Sequence, residues 1–406
     1  MENRILLKAN LKRHKGALFG IFILTLLVAA ALGTVLTIWT NSENYIQSEL
    51  DRSGYGELTA WVENLSDTTE LKNNIEALDE IERVETQSLI YSNYIANEIE
   101  SDSEGQLITY IPAEKRYRFF TDDLLRYAEQ TESILPGEVY VSPSMVSMFG
   151  IKLGDEIIFP IARAGKNFTL TVKGFYEDVY MGSSMIGMKG FLISESDRAT
   201  MLDLIYNAGI DALARDGAMF HIFPQEKYNL TVSELNSLLN EQTALAEYTE
   251  SVHSKDAIAG FMLILQNAFS GILLAFVLVL VFVVLIVLSH SISSTIASDF
   301  VNMGILKTVG FNSSRLRLLQ LLQYSIPVVW GLIIGFLLSV PLGSMIVCAT
   351  LTTTGVWIPE TPSLLFMAIA FILISLLLAL FIFIRTRGIG KITPMKAIRG
   401  ETDGTV

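Results

Sequence analysis

The side chains that carry most enzyme chemistry are few in this 406-residue chain and lie far apart. The four histidines are His14, His221, His253 and His290, and Cys348 is the one cysteine. No H-E-x-x-H, G-x-S-x-G or paired-cysteine motif is present, so the sequence predicts neither a metal site nor a nucleophilic hydrolase. The P-loop motif G-x-x-x-x-G-K-[ST] is absent as well, so we expect no nucleotide hydrolysis, no enzyme activity and no cofactor in this chain.

The segment 179–190 (VYMGSSMIGMKG) is rich in methionine and glycine. Because methionine side chains are flexible and adapt to varied apolar ligands, Met181, Met185 and Met188 form a candidate substrate loop. The alternative is an ordinary loop whose methionines pack into the domain core. A copper site would also use three methionines, but no histidine lies nearby in the sequence.

The composition is typical of a membrane protein, with 51% apolar and 17% charged residues. A bilayer-spanning helix needs about 20 mostly apolar residues. Since backbone polar groups in lipid must be satisfied internally, each apolar stretch of that length is predicted to be a helix. Charged residues are almost absent from these stretches, which disfavours an ion-coupled carrier. The four stretches that qualify are 17–39, 260–288, 324–351 and 364–384.

Charge is distributed unevenly along the chain, whose net charge is −13. Residues 41–256 contain 16 Lys/Arg and 37 Asp/Glu, whereas the N-terminus, the segment after the second span and the C-terminal tail are basic. Because positive residues stay in the cytoplasm, we expect both termini to be cytoplasmic and the large acidic domain to be extracytoplasmic. The first apolar stretch also resembles a cleavable signal peptide, an alternative that leaves the remaining topology unchanged.

The acidic region is predicted to be a mixed α/β domain. The segments GELTAWVEN, QLITYIP and NFTLTVKGFY alternate as strands do, whereas DTTELKNNIEALDEI and TVSELNSLLNEQTAL have helical patterns. The stretch GEVYVSPSMVSMFGIKLGDEIIF predicts a strand, a short helix, a Gly-Asp turn and a second strand. With one cysteine in the chain, this domain must be held together by its own apolar core.

The two helices that flank this domain are predicted to be longer than a bilayer requires. Residues 256–296 would form a helix of roughly 60 Å, whereas the hydrocarbon core is about 30 Å thick. The first span likewise continues through TNSENYIQSEL without a proline or glycine. We therefore predict two rigid rods that leave the membrane, the alternative being that each helix breaks at the interface.

The segment 299–311 (DFVNMGILKTVGF) connects the second and third spans. It is predicted to form a helix–turn–helix, with Gly310 in the turn and Asn312 or Ser313 capping the next helix. A connector that only reverses the chain could be much shorter, so this ordered segment suits docking into a soluble partner. Apolar residues at four-residue spacing predict a single apolar stripe. They are Ile292, Ile296, Phe300, Val301, Ile305 and Val309.

These residues resemble a known family. MGILKTVGF is similar to the E-I-G-I-L-R-A-L-G-A signature of the FtsX-like (MacB/LolC/BceB-type) permeases of ABC transporters, and KITPMKAIRGE is similar to their N-P-V-E-A-L-R ending. One span, a large domain and then three spans is the layout of that family, so the resemblance covers the whole chain. Asn302 stands where the family commonly has glutamate, and Lys396 stands where many relatives have an acid.

The resemblance implies mechanotransmission in a bacterial cytoplasmic membrane. A separate ABC ATP-binding subunit, which holds ATP and Mg²⁺, would dock on the connecting segment and drive movement of the extracytoplasmic domain. A second permease subunit would complete a homodimer or heterodimer, within membrane lipid and without nucleic acid. The implied ATPase-coupling residues are Asp299, Phe300, Asn302, Met303, Gly304, Ile305, Leu306, Lys307, Gly310 and Phe311.

The cargo stays open at this level. Export or extraction of a peptide, an antibiotic or a lipid-linked molecule is the leading function. An antimicrobial-peptide sensing or resistance module and an activator of cell-wall hydrolases are the alternatives. The acidic domain favours cationic peptide or protein ligands, although acidic surfaces are often merely solvated.

The predicted architecture is thus a membrane protein with four transmembrane α-helices and a large α/β extracytoplasmic domain inserted between helices 1 and 2. The extracytoplasmic domain is expected to resemble the MacB periplasmic core. The predicted segments are a cytoplasmic amphipathic helix (1–16), the first span (17–40), the extracytoplasmic domain (41–255), a stalk and second span (256–290), a cytoplasmic coupling helix and turn (291–320), the third span (321–351), an extracytoplasmic loop (352–362), the fourth span (363–385) and a cytoplasmic tail (386–406).

Overall fold

The computed structural model describes residues 2–64, 67–129, 133–163, 165–358 and 364–391. Most of the predicted tail 386–406, including Lys396, and part of the predicted loop 352–362 therefore lie outside the described residues. Two compact units emerge from the chain. The helical unit comprises Met1–Asn41, Ala268–Met345 and Glu360–Val406, and the α/β unit comprises Ser42–Asn267 and Ile346–Pro359.

The described residues form eleven α-helices and twelve strands. The helices are α1 (Glu2–Arg13), α2 (Lys15–Arg52), α3 (Thr68–Glu76), α4 (Ser144–Phe149), α5 (Glu195–Ala208), α6 (Val232–Gln242), α7 (Leu245–Tyr248), α8 (Lys255–Ser298), α9 (Phe300–Thr308), α10 (Ser313–Thr354) and α11 (Leu364–Arg385). The strands are β1 (Leu58–Glu63), β2 (Ile81–Ser92), β3 (Ile95–Ala96), β4 (Ile99–Glu100), β5 (Gly105–Thr109), β6 (Arg118–Phe119), β7 (Glu138–Val141), β8 (Glu156–Ala162), β9 (Lys166–Glu177), β10 (Lys189–Ile193), β11 (Arg215–Pro224) and β12 (Thr249–Ser254).

The strands of the α/β unit make a mixed sheet in the order β12-β1-β11-β2-β5-β10-β7-β9-β8-β3-β4, and β6 pairs with β9. Two pairs are parallel, β5 with β10 and β7 with β9, and the other pairs are antiparallel. The longest register joins β2 to β11, from Tyr91 opposite Arg215 to Ile81 opposite Pro224. The central strands are buried on both faces, as expected for a sheet covered by helices.

Helices α2 and α8 each have residues in both units, and both contribute side chains to the core of the α/β unit. Ile46 and Leu50 of α2, together with Ile258 of α8, are buried in the same cluster as Trp61. Both helices run without interruption, α2 over 38 residues and α8 over 44. Each therefore contributes to an apolar core of the α/β unit as a continuation of a long apolar helix.

Local capping explains several element boundaries. Asp67 accepts a hydrogen bond from the backbone N–H of Thr69, and Thr231 forms a reciprocal capping box with Glu234 at the start of α6. The predicted helix DTTELKNNIEALDEI is shorter than expected. It ends at Glu76, because the following residues turn into β2, where burial of the apolar side chains outweighs helix propensity.

Among the described residues, four helices are long and apolar enough to cross a membrane: α2, α8, α10 and α11. Helices α2 and α10 approach closely through glycines, as is usual where backbones pack in lipid. A Cβ atom added to Gly335 would collide with the carbonyl oxygen of Leu26 and with Ala29, and one at Gly33 would collide with Ser339. These positions accept glycine because only its missing side chain allows the approach.

The helices on both sides of the connecting segment extend beyond the predicted spans. Helix α8 ends at Ser298, close to the end of the helix predicted over residues 256–296, and α10 begins at Ser313, next to the predicted cap at Asn312 or Ser313. The predicted segment 291–320 thus divides among the end of α8, the whole of α9 and the start of α10.

Candidate functional site

The candidate coupling segment is built around a single break between α8 and α9. Asp299 donates its N–H to the Thr295 carbonyl at 3.0 Å, and its own carbonyl accepts from the Met303 N–H at 2.8 Å. The helical hydrogen bonds therefore continue across Asp299, and α9 extends α8. The true turn comes after α9, where Gly310 has φ of +101° and the Asn312 side chain accepts from the N–H of Arg315.

The predicted single apolar stripe is wrong, because the apolar residues lie on two faces. Ile292, Ile296 and Phe300 are buried in the helical unit. Val301 and Ile305, which follow Phe300 by one and five residues, are each 48% exposed. One residue rotates an α-helix by about 100°, so the two series could not share one face.

The second series forms an exposed apolar face on α9, which we call the α9 face: Val301, Ile305 and Val309. Val309 is 73% exposed, and Asn302 beside it is exposed too. Phe300, Met303 and Gly304 are buried on the opposite side and fix the helix in the unit. An anchored helix with an exposed apolar face can dock another protein.

Asp299 is not available on this surface, in contrast to its predicted place among the coupling residues. Its side chain is buried and forms an ion pair with Arg13 at 2.8 Å. The Nε2 atom of His14 lies 3.2 Å from its second oxygen. Asp299 therefore links the junction between α1 and α2 to the start of α9. No sequence pattern indicates this contact, because His14 lies 285 residues before Asp299 and Arg13 is next to His14.

The remaining coupling residues have mixed environments. Leu306 and Phe311 are partly buried against the core of the helical unit. The Nζ atom of Lys307 donates to the carbonyl of Ile389 at 3.1 Å, which joins α9 to the segment after α11. A cavity of about 300 Å³ lies beside α9 and is lined by Asn10, Asn302 and neighbouring residues of α1 and α10.

The structure separates the three methionines of the candidate substrate loop. Met181 is buried in the sheet core, and the Met188 sulfur lies 3.4 Å from the side-chain nitrogen of Gln106. Met185 alone of the three is well exposed, at 73%. This arrangement agrees with the alternative in which methionines of an ordinary loop pack inward. The described residues contain no group of three His, Cys, Asp or Glu side chains that could hold a metal ion.

Lys189 organises this loop from inside. Its fully buried ammonium group donates to the Ser183 carbonyl at 2.7 Å and also contacts the carbonyls of Met181, Ile186 and Met188. Burial lowers the pKa of Lys189 to about 8, against the attraction of Asp178. The loop carbonyls therefore surround a buried cation, and the loop does not present an open surface for a ligand.

A second polar cluster in the α/β unit was not predicted from the sequence. We call it the Glu177 cluster. Tyr45 of α2 and Tyr127 donate their hydroxyls to the Glu177 carboxylate at 3.0 and 2.9 Å, and the Trp357 N–H donates at 2.8 Å. The two tyrosine oxygens are 2.5 Å apart. One carboxyl at the end of β9 thus connects the sheet to α2 and to the segment that follows α10.

The surroundings of Glu177 favour its neutral form. Burial raises the pKa of Glu177 to about 7, and the nearby carboxylate of Glu49 acts in the same direction. The hydrogen bonds from the Trp357 N–H and the tyrosines act the other way but are outweighed. Glu49 itself pairs with Arg118 at 2.7 Å. The chain could place these groups only by folding, because they come from four separate segments.

Four membrane-crossing helices, with a large α/β region between the first and the second, define a multi-pass membrane protein with an inserted domain. Residues 271–391, which include α9, match the family model described as FtsX-like permease C-terminal. This match places the C-terminal part of the chain, from Gly271 to Lys391, in the FtsX-like permease C-terminal family.

Among solved structures, the chain is similar to the periplasmic region of MacB from Actinobacillus actinomycetemcomitans. The TM-score is 0.28 and the sequence identity 14%, and the match covers 54% of this chain and 97% of that chain. The comparison with curated proteins gave no match.

Proposed function

We propose that this chain is the permease subunit of an ABC transporter, and that it couples ATP hydrolysis in a separate ATP-binding subunit to movement of its α/β unit. The observation that carries the proposal is the α9 face, an exposed apolar surface on a short helix that is anchored from behind by Phe300 and Met303. A soluble subunit that buries Val301, Ile305 and Val309 would bind α9 directly. ATP and Mg²⁺ are placed in that partner, since this chain has no P-loop motif.

Two continuous helices support mechanical transmission. Helix α9 extends α8 across a single residue, and α8 continues for 44 residues to its start at Lys255. The outer end of α8 and the outer end of α2 both enter the core of the α/β unit, at Ile258 and at Ile46. A displacement applied at α9 would reach the sheet through rigid helices and not through flexible linkers.

The proposed setting is a bacterial cytoplasmic membrane with cytoplasmic termini. The basic segments at the N-terminus and around α9, together with the acidic α/β unit, favour this orientation. A second permease subunit, the same chain or a different one, would complete the complex. The α/β unit would then move a peptide, an antibiotic or a lipid-linked molecule outside the membrane.

The experiment is to purify the tagged full chain from native membranes and identify its partners. We expect an ABC ATP-binding subunit and a second permease, and an ATPase activity that depends on this chain. Purification without any ATPase, under conditions in which the chain is folded and membrane-inserted, would contradict the proposal. Recovery of a sensor kinase or of a cell-wall hydrolase alongside the ATPase would identify which of the alternative outputs the complex serves.

A further inference from the structure

A groove in the helical unit, between α8 and α11, has no role in the coupling described above. Its volume is about 480 Å³, and we call it the α8–α11 groove. Phe282, Ile286, Ser289 and His290 contribute from α8, and Arg385 contributes from the end of α11. Ser293 closes the polar end of the groove and accepts a hydrogen bond from Arg385 Nη2 at 3.1 Å.

The groove changes from apolar to polar along its length. Phe282 and Ile286 are 65% and 67% exposed, and Ser289 and Ser293 follow on the same side of α8 at helical spacing. The distance along the axis from Phe282 to Ser293 is about 16 Å at 1.5 Å per residue. On α11 the same order appears over one turn, from Phe381 to Arg385. The polar ends coincide, because Arg385 bonds Ser293.

The polar end is cationic. Arg385 and His290 are exposed there, and no Asp or Glu is among the described residues that line the groove. One N–H of the Arg385 guanidinium is used by Ser293, and the group has five in total. Hydroxyl, imidazole and guanidinium donors gathered at one end suit the oxygens of a phosphate group.

We infer that the α8–α11 groove binds an anionic phospholipid. Its phosphate would lie against Arg385, His290 and Ser289, and an acyl chain would cover Phe282 and Ile286. The order of groups along the groove is the order within a lipid at the membrane boundary, where basic pockets between spanning helices bind anionic head groups. A free phosphate would use only the polar end and leave the apolar wall uncovered.

This inference depends on the spanning helices and not on an ATPase docked at α9. It nevertheless places the ligand close to the coupling segment, since Ser293 lies near the end of α8, six residues before Asp299. A lipid that bridges α8 and α11 would hold the base of α9 in one position. Its failure would leave the proposed ATPase coupling unaffected, and the reverse also holds.

The test uses the full chain in detergent and measures lipid binding by native mass spectrometry. The probes are phosphatidylglycerol and phosphatidylcholine with identical acyl chains, and inorganic phosphate. We expect tighter binding of phosphatidylglycerol. Arg385→Gln should weaken that binding about five-fold, the factor that corresponds to about 1 kcal/mol for one cation at a lipid surface. Arg385→Lys should retain part of the phosphatidylglycerol binding. His290→Gln should also weaken phosphatidylglycerol binding.

Arg315→Gln is the matched control, because Arg315 is an exposed cation at the start of α10 and does not line the groove. It should leave phosphatidylglycerol binding unchanged. Equal binding of the two lipids by the wild type would overturn the inference, as would equal losses in Arg385→Gln and Arg315→Gln. Displacement of phosphatidylglycerol by millimolar inorganic phosphate would also overturn it, since the occupant would then be a free anion.

Discussion

Replacing Glu177 with glutamine should change how the stability of the α/β unit depends on pH. Glutamine has nearly the same shape, and its side-chain oxygen can still accept the Trp357 N–H that Glu177 binds at 2.8 Å. The variant therefore keeps the hydrogen bond from the Trp357 N–H and removes only the titratable carboxyl group. A leucine at the same position would instead leave the Trp357 N–H and the hydroxyls of Tyr45 and Tyr127 without their acceptor.

The magnitude follows from proton linkage. The pKa of Glu177 is raised from its ordinary value of 4.5 to about 7 in the folded chain. A raised folded pKa gives stability that is fully present below 4.5 and is lost as the pH rises through 7. Each pKa unit corresponds to about 1.4 kcal/mol, so wild-type protein should lose about 3 kcal/mol relative to Glu177→Gln between pH 4.5 and pH 7.5.

The assay is equilibrium unfolding of the full chain in detergent at a series of pH values, followed by tryptophan fluorescence. Comparing variant and wild type at each pH cancels the other titrating groups. The exposed residue Glu156 offers a matched control, since Glu156→Gln removes a carboxyl from the same unit. The reasoning would be refuted by a difference between wild type and Glu177→Gln that does not vary with pH. A wild type that gains stability relative to Glu177→Gln as the pH rises would show that the three donors outweigh burial.

Three other substitutions test separate parts of the structure. Gly335→Ala should destabilise the helical unit by about 1–3 kcal/mol through overpacking, whereas Gly343→Ala on the same helix meets nothing within 4 Å and should be neutral or slightly stabilising, as thermal unfolding in detergent would show. Lys189→Met should leave buried carbonyls without a donor and cost about 2–4 kcal/mol, with faster proteolysis of the 181–188 loop as the readout. Burial lowers the pKa of His221 to about 3, so the stability of the wild type relative to His221→Gln should fall by about 1.4 kcal/mol for each pH unit below 6.5 in acid unfolding curves.

Each of these three predictions has a result that would contradict it. A Gly335→Ala protein as stable as Gly343→Ala would contradict the close packing of α2 on α10. Unchanged proteolysis of the loop in Lys189→Met would mean that the loop does not depend on the buried ammonium. A stability difference between wild type and His221→Gln that stays constant below pH 6.5 would mean that His221 does not cause the acid sensitivity.

The spanning helices and several strands could be predicted from periodicity and composition, because these signals are local. The apolar stretches became α2, α8, α10 and α11, and the alternating segment NFTLTVKGFY became most of β9. By contrast, β2 begins inside a segment with a helical pattern, and only its pairing with β11 and β5 decides in favour of a strand.

The polar contacts of the candidate sites could not be predicted, because they join distant segments. Nothing near Glu177 in the sequence indicates Tyr45 or Trp357, and nothing near Asp299 indicates Arg13. Each pairing depends on the folded backbone. The two-faced burial of α9 could have been foreseen from helical geometry, since Phe300 and the next residue cannot point in the same direction.

The central claim is that a nucleotide-hydrolysing subunit grips the α9 face, and Ile305→Glu tests it most directly. Ile305 is 48% exposed, so the charge should not disturb the core, but it would be buried unpaired in the docked complex. Ile210→Glu, at a 98% exposed isoleucine in the α/β unit, is the matched control. We predict that Ile305→Glu is inserted normally yet loses the ATPase subunit on purification and its stimulated ATP hydrolysis, whereas Ile210→Glu keeps both. Full recovery of the ATPase with undiminished turnover in Ile305→Glu would contradict the account.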